Sequence, residues 1–219
     1  MSLVLYTGTR NASSWALRAW LALREQGIAF EERIVDIRRP QRHDNLARIA
    51  QFSPPAAVPV LVDGAHVIFD SLAIMEYASE LGATPLLPAD IHQRARARSL
   101  LAWVHSGLSG ICARLSFESS FYPKRRAMTA DEVEQSDRLL QVWEQTLTDS
   151  GGPWLFGALS LADLAFVPVI QRIISHRPDF GGFPLAQEWC LRLMARPAVA
   201  EWMDDARNLP VVVLDDYLP

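Results

Sequence analysis

The sequence predicts a small α/β unit, in the order βαβ, helix, β-hairpin, helix, followed by an all-helical domain. Three observations predict it. β-prone and helix-periodic runs alternate over residues 1–81; Gly82, Pro85 and Pro88 then interrupt the chain; and beyond them the apolar residues recur at helical spacing. The expected boundaries are 1–81 for the α/β unit, 82–91 for a linker and 92–219 for the helical domain.

Each element has its own signal. Leu3-Val4-Leu5-Tyr6 is a short apolar β-prone run, closed by the turn residues Thr7-Gly8-Thr9. From Ser13 to Gln26 the pattern is helical, with Leu17, Trp20, Leu21 and Leu23, and Gly27 stands where a helix stops. Phe30 to Ile37 alternates imperfectly with a period of two and reads as a second strand; an Arg-rich polar stretch then leads into a short helix near Asp44–Gln51. Val60-Leu61-Val62 and His66-Val67-Ile68-Phe69 flank Asp63-Gly64, a strong short-range hairpin signal. Ser71 to Leu81 closes the unit as an amphipathic helix. In the second part, Leu100, Leu101, Val104, Leu108, Ile111 and Leu115 place a helix over His92–Ser120. Further helices are expected near 129–149, 160–175, 184–195 and 196–206, and the next β-prone run comes only in the C-terminal tail.

Composition narrows the function classes. Of 219 residues, 50% are hydrophobic and 21% charged, with a net charge of −4, a globular balance. Basic and acidic residues nearly cancel in both parts, 8 against 9 over residues 1–80 and 13 against 16 over 81–219. That leaves no electrostatic footprint for nucleic acid or an anionic membrane. A transmembrane run is absent, and MSLVLYTGTR lacks the basic and apolar regions of a signal peptide. The two cysteines, Cys112 and Cys190, are too few for a disulfide framework or a zinc site, and no metal site is expected. A reducing, cytoplasmic setting is the expectation.

Two constellations carry chemistry. Ser13 and Ser14 follow a strand and open a helix, where hydroxyls cap free backbone N–H groups. They read either as capping alone or as an anion site at the positive end of the helix dipole. Val58-Pro59 opens the hairpin, and Asp70-Ser71 stands just before the next helix. Proline at a strand start can be an edge device and Asp-Ser an ordinary cap. The three elements together, in this order and spacing, are more specific than any one of them.

With these parts the chain resembles the soluble glutathione S-transferase family. The likeness rests on LYTGTRNASSWALRAWLALREQGIAFE, on VPVLVDG, on DSLAIMEYASE and, in the helical half, on GPWLFGALSLADLAFVPVI, whose Ser160 and Asp163 fit the family's S/T-x-x-D helix start. It spans nearly the whole chain. RARARSLLAW and SSW suggest a bacterial, serine-type branch. The resemblance implies a thioredoxin-like first domain and an enzyme that binds glutathione as co-substrate, stabilises its thiolate and adds it to a hydrophobic electrophilic small molecule, working as a homodimer in detoxification. Counting back without gaps from Gly27, Ser13 falls on the serine that activates the thiol, and Ser14 on the second serine of the isomerase-like members. Val58 would pair its backbone with the cysteinyl part of glutathione through a cis Val58-Pro59 bond. Asp70 would meet the γ-glutamyl ammonium, and Ser71 with the helix N–H groups would hold the γ-glutamyl carboxylate.

The chain departs from the family pattern at Ala57, where many members carry a polar residue, and the group for the glycyl carboxylate is open among His43, Arg42 and Arg39. Asn11, Ala12, Ser13 and Ser14 occupy the turn where thioredoxin relatives place a cysteine, which disfavours mixed-disulfide chemistry. Trp103, Arg114, Phe117, Phe121 and Tyr122 lie on or after the helix that, by resemblance, faces the electrophile. Arg114 reads as a receptor for an anionic substrate or as a surface ion pair, and Ser160/Asp163 as a helix cap. The alternatives for function are a non-catalytic binding or regulatory module on the same fold, a glutathione-dependent isomerase of maleyl-type diacids, and a peroxidase.

Overall fold

A computed structural model of the chain describes residues 3–106 and 111–213, with the backbone alone at Cys112 and Ala113. These residues fall into two compact units. One runs to Pro85 and also takes in Glu201–Val212; the other runs from Leu86 to Ala200.

In the first unit, β1 (Leu3–Gly8), α1 (Ser14–Glu25), β2 (Phe30–Val35), α2 (Arg42–Ile49), β3 (Val60–Asp63), β4 (His66–Phe69) and α3 (Ser71–Leu81) follow in chain order. The four strands form one sheet in the order β2-β1-β3-β4, with β1 parallel to β2 and antiparallel to β3. A parallel pair needs a crossover, and α1 supplies it. As a central strand β1 buries Leu3 and Leu5, whereas the edge strand β4 leaves His66, Val67 and Phe69 exposed. α1 is buried almost all round, from Ala16 to Leu23, and packs against α3.

Two strands end differently from their sequence pattern. β1 continues through Gly8, and β2 stops at Val35 although the alternation runs to Ile37. The Thr9 hydroxyl accepts the Ile37 N–H at 3.2 Å and donates to Asp36 at 3.0 Å, drawing the chain out of the ladder. Arg38 clamps the same Asp36 and holds its carboxyl down at about 2.

The second unit is helical: α4 (Ile91–His105), α5 (Ile111–Arg114), a 3-10 turn (Glu118–Phe121), α6 (Ala130–Ser150), α7 (Leu161–His176), α8 (Pro184–Met194) and the start of α9 (Pro197–Arg207). The helix expected over His92–Ser120 is not continuous. α4 closes at Ser106, whose hydroxyl donates to the Trp103 carbonyl at 2.8 Å, a side-chain bond that competes with the helix ladder. Leu108 lies outside the described residues. Trp143, Phe166 and Trp189 meet edge-to-face at centroid distances of 5.0–6.3 Å and form the aromatic centre of this unit.

The C-terminal part departs from the sequence expectation in a second way. From Glu201 to Val212 it belongs with the α/β unit, because Trp202 is fully buried there, 5.4 Å from Trp20 edge-to-face. The apolar run Val211–Val213 forms no strand.

Candidate functional site

The sheet register gathers the chemistry-bearing segments at one end of the first unit. Tyr6 pairs with Val60, and Val60 pairs with Phe69. The turn after β1, the Val58-Pro59 entry to β3 and the Asp70-Ser71 exit from β4 therefore share one end of the sheet. Gly8 pairs with Val35, which brings the Asp36–Arg38 segment to the same end. The N-termini of α1 and α3 open there, presenting the positive ends of their dipoles.

Ser13 caps α1: its Oγ accepts the Ala16 N–H at 3.3 Å, and the residue is buried. Accepting that bond leaves the hydroxyl proton available to an acceptor. Ser14, also buried, is the first helical residue. The position of Ser13 is tightly bounded. A Cβ built on Gly8 would lie 2.6 Å from the Ser13 Cβ and 2.7 Å from its Oγ, so β1 and the helix start approach as closely as only glycine permits. Sequence reading took Gly8 as a turn signal and missed this approach.

A second feature it missed is the buried network of Arg10. The guanidinium bonds Glu32 at 2.6 Å and lies over the rings of Trp20, at 5.1 Å, and Trp202, at 4.8 Å. Glu32 also accepts from the Thr7 hydroxyl at 2.7 Å and the Trp20 indole at 3.2 Å. The acidic residue of an alternating strand, opposite Leu5 in register, gave the only hint, since Glu32 is half of an ordinary-looking Glu-Glu pair.

The Val58-Pro59 bond is cis, and so is Arg39-Pro40. Pro59 is buried and Val58 half-buried, just ahead of β3. Ala57 is exposed, and Ala56 before it holds a φ of 50°. Asp70 holds a φ of 77° and caps α3, its Oδ1 accepting the Leu72 N–H at 2.8 Å. Left-handed backbone is unfavourable for residues with a Cβ; Ala56 lies two residues before Val58, and Asp70 is itself one of the residues singled out by sequence. Ser71 is buried, and its Oγ has no hydrogen-bond partner among the described residues. Arg39, Arg42 and His43 are all exposed, ahead of and at the start of α2.

In the second unit the aromatic candidates separate. Phe117 and Tyr122 are buried core residues, Phe121 packs edge-to-face on Phe117, and Trp103 is 37% exposed. Arg114 forms an ion pair with Asp131 rather than standing open to an anion. Trp103, Ile111, Asp131, Glu134, Gln135, Arg138 and Leu139 line a cavity of about 360 Å³, three of them charged. Asp163 is fully buried and accepts from the Ser160 N–H and hydroxyl, the Leu155 N–H and the Trp189 indole at 2.6–3.0 Å, joining the start of α7 to α8. Ser160/Asp163 is thus a structural cap. Burial pushes the Cys190 thiol well above its ordinary range, which suits a core residue; the Cys112 side chain lies outside the described residues. Among the described residues, no helix is long and apolar enough to cross a membrane.

Known proteins share the family and the fold. Residues 12–81 match the family model described as the glutathione S-transferase N-terminal domain, and residues 126–205 match the corresponding C-terminal domain. A probable maleylacetoacetate isomerase of Caenorhabditis elegans is 39% identical over 184 residues, covering 83% of each chain. Glutathione S-transferase theta-3 of Mus musculus is 26% identical over 210 residues, covering 92% of this chain and 80% of the mouse protein. Among solved structures, a glutathione transferase homologue from Burkholderia GL BGR1 with bound glutathione superposes with a TM-score of 0.69 at 25% identity, covering 95% of this chain and 99% of that one.

Proposed function

The chain belongs to the glutathione S-transferase family, and from that premise we propose that it binds glutathione at the end of the sheet described above, stabilises the thiolate with Ser13 and adds it to an electrophilic carbon. One observation carries this reading. The register Tyr6-Val60-Phe69 puts Ser13, Val58-Pro59 and Asp70-Ser71 at one end, beside two helix N-termini. Those groups match an extended tripeptide with a thiol in its middle and a zwitterion at one end.

The roles follow from the chemistry. A thiol of pKa near 8.5 is only a few per cent ionised at pH 7, and the thiolate is the nucleophile. Lowering that pKa by about two units takes roughly 2.7 kcal/mol. A charge-assisted hydrogen bond of about 1.5–3 kcal/mol, with a dipole contribution of about 0.3–1 kcal/mol, supplies it. Ser13 donates that bond and is not itself attacked; Ser14 opens the helix whose positive dipole end completes the anion-stabilising environment. At the other end, Asp70 is the charged acceptor for the γ-glutamyl ammonium. Ser71 and the α3 N–H groups hold the carboxylate. Rotation of the Ser71 hydroxyl to a neighbouring staggered well gives that orphan oxygen a partner in the ligand. The backbone of Val58 meets the cysteinyl unit. Arg39, Arg42 and His43 are the nearby cations for the glycyl carboxylate. A reducing cytoplasm suits a free thiol as co-substrate, and a homodimer buries apolar residues such as Phe52, Phe69 and Ile91, each exposed by a third or more in the single chain.

The isomerase-named relative supports a second outcome from the same thiolate. If the electrophile is a cis diacid, reversible addition to its double bond, rotation and elimination isomerise it without consuming glutathione. Both outcomes share the first test. The protein should be retained on immobilised glutathione and released by free glutathione, and Ser13→Ala should raise the pKa of the bound thiol, read as ultraviolet thiolate absorbance. Loss of the effect in Ser13→Ala but its appearance in Ser14→Ala moves the role to the neighbouring hydroxyl. No retention at all favours a non-catalytic module.

A further inference from the structure

We propose that Trp202, 192 positions downstream of Arg10, is a positioning residue for the Ser13 turn, acting through the Arg10 backbone. The inference rests on the reading of Ser13 as the thiolate donor.

The turn itself is short of internal support. The Ala12 and Ser13 N–H groups both donate to the Thr9 carbonyl, at 2.9 Å each, so Arg10 and Asn11 occupy its middle. Both are held by the C-terminal segment. The Trp202 indole donates to the Arg10 carbonyl at 3.0 Å in a buried setting. The Asn11 side-chain amide donates to the Pro210 carbonyl at 3.0 Å. The Trp202 ring also covers the Arg10 guanidinium, while Asp205 lies 3.0 Å from it on the same segment. One residue of α9 thus bonds the backbone and stacks on the side chain of the same arginine. Trp202 is fully buried, so the contact is not a surface accident.

Ser13 closes this turn, two residues beyond Asn11, and has no slack on its other side, where Gly8 approaches it. A rotation of the Arg10-Asn11 peptide therefore reaches the Ser13 hydroxyl. Hydrogen bonds weaken steeply with distance and angle, so a small displacement lowers the donor's hold on the thiolate. The expected signature is a shift in thiol pKa with little change in the contacts of the γ-glutamyl end, which belong to Asp70 and Ser71.

The test uses Trp202→Phe in the full chain, which removes the indole donor and keeps an aromatic ring over Arg10. Trp20→Phe is the control: it sits in the same cluster, but its N–H goes to Glu32 and not to the turn backbone. Two readouts are needed. Without glutathione, amide hydrogen exchange should accelerate at least tenfold in the peptide spanning 9–16 of Trp202→Phe, and not in that of Trp20→Phe. With glutathione, the thiol pKa should rise by about 0.5–1 in Trp202→Phe, a three- to tenfold fall in the ratio of thiolate to thiol. Unchanged exchange in that peptide, or equal acceleration in both variants, overturns the proposal. A pKa that moves in Ser13→Ala but not in Trp202→Phe overturns it too, and leaves the functional reading standing. Faster exchange with no pKa change in either Trp202→Phe or Ser13→Ala defeats the thiolate reading instead, while the turn is shown to be held as described. Should Trp202→Phe not fold, the parent protein carries the test: by NMR the Trp202 indole N–H should be protected from exchange to the same degree as the 9–16 amides, and an unprotected indole refutes the positioning role.

Discussion

Glu132 offers the sharpest energetic test in the molecule. Its side chain is 1% exposed and grips Arg126 through two bonds of 2.7 Å, while accepting the Thr129 N–H at 2.8 Å to complete a capping box at the start of α6. The Arg126 hydrogen bonds, foremost among the causes, hold its carboxyl down at about 2, from an ordinary 4.5. A depressed carboxyl pKa adds stability that is fully present above the unfolded value and is lost as pH falls through the folded one. The gap corresponds to about 3 kcal/mol at pH 7, shrinking to about 2 kcal/mol near pH 3.5 and below about 1 kcal/mol near pH 2.5. Glu132→Gln removes the charge but keeps an amide oxygen for the Thr129 cap. Its amide nitrogen then faces one of the two guanidinium donors, so one of the paired bonds is lost outright. Urea unfolding, followed by tryptophan emission, should show the variant about 3 kcal/mol less stable than the parent at pH 7. The difference should narrow on acidification. Asp36, held near 2 by Arg38, titrates in the same window but is common to both proteins and cancels. A difference under about 0.5 kcal/mol at pH 7, or one that persists undiminished at low pH, would refute the charge-based account of this pair.

Asp70→Asn replaces a charged acceptor with a neutral one and should weaken glutathione binding by about 1–3 kcal/mol in calorimetry, with unchanged affinity rejecting the placement of the ammonium. Gly8→Ala drives a methyl to 2.6 Å from the Ser13 Cβ, so it should lower the melting temperature and raise the bound thiol's pKa together. A variant with parental values for both would show that the approach is slack. Sedimentation at micromolar concentration should give one species near twice the 24.5 kDa chain mass; a clean monomer throughout that range counts against the dimer.

What the sequence by itself determined lies within a few residues along the chain. Ser13, Asp70 and Ser160 were legible as helix starts because a cap and its N–H groups are two or three residues apart. Asp63-Gly64 announced the hairpin because a two-residue turn needs a residue tolerant of positive φ, which Gly64 supplies at 57°. From those local signals the order of strands and helices in the first unit follows, and with it the end of the sheet where Ser13, Val58-Pro59 and Asp70-Ser71 meet. Only the tertiary structure decided how that end is held. Nothing periodic links Arg10 to Trp202, and a buried arginine leaves no pattern, because the carboxylate and aromatic faces that make its burial tolerable come from a distant strand, helix and tail. The same reason explains the rest. Helical spacing from Leu100 to Leu115 described a single helix, yet the chain leaves α4 at Ser106, and Leu115 is anchored by the Arg172 guanidinium at 2.8 Å. Local periodicity reports which face is apolar; which apolar faces and buried charges find each other is fixed by contacts that exist only after the chain has folded.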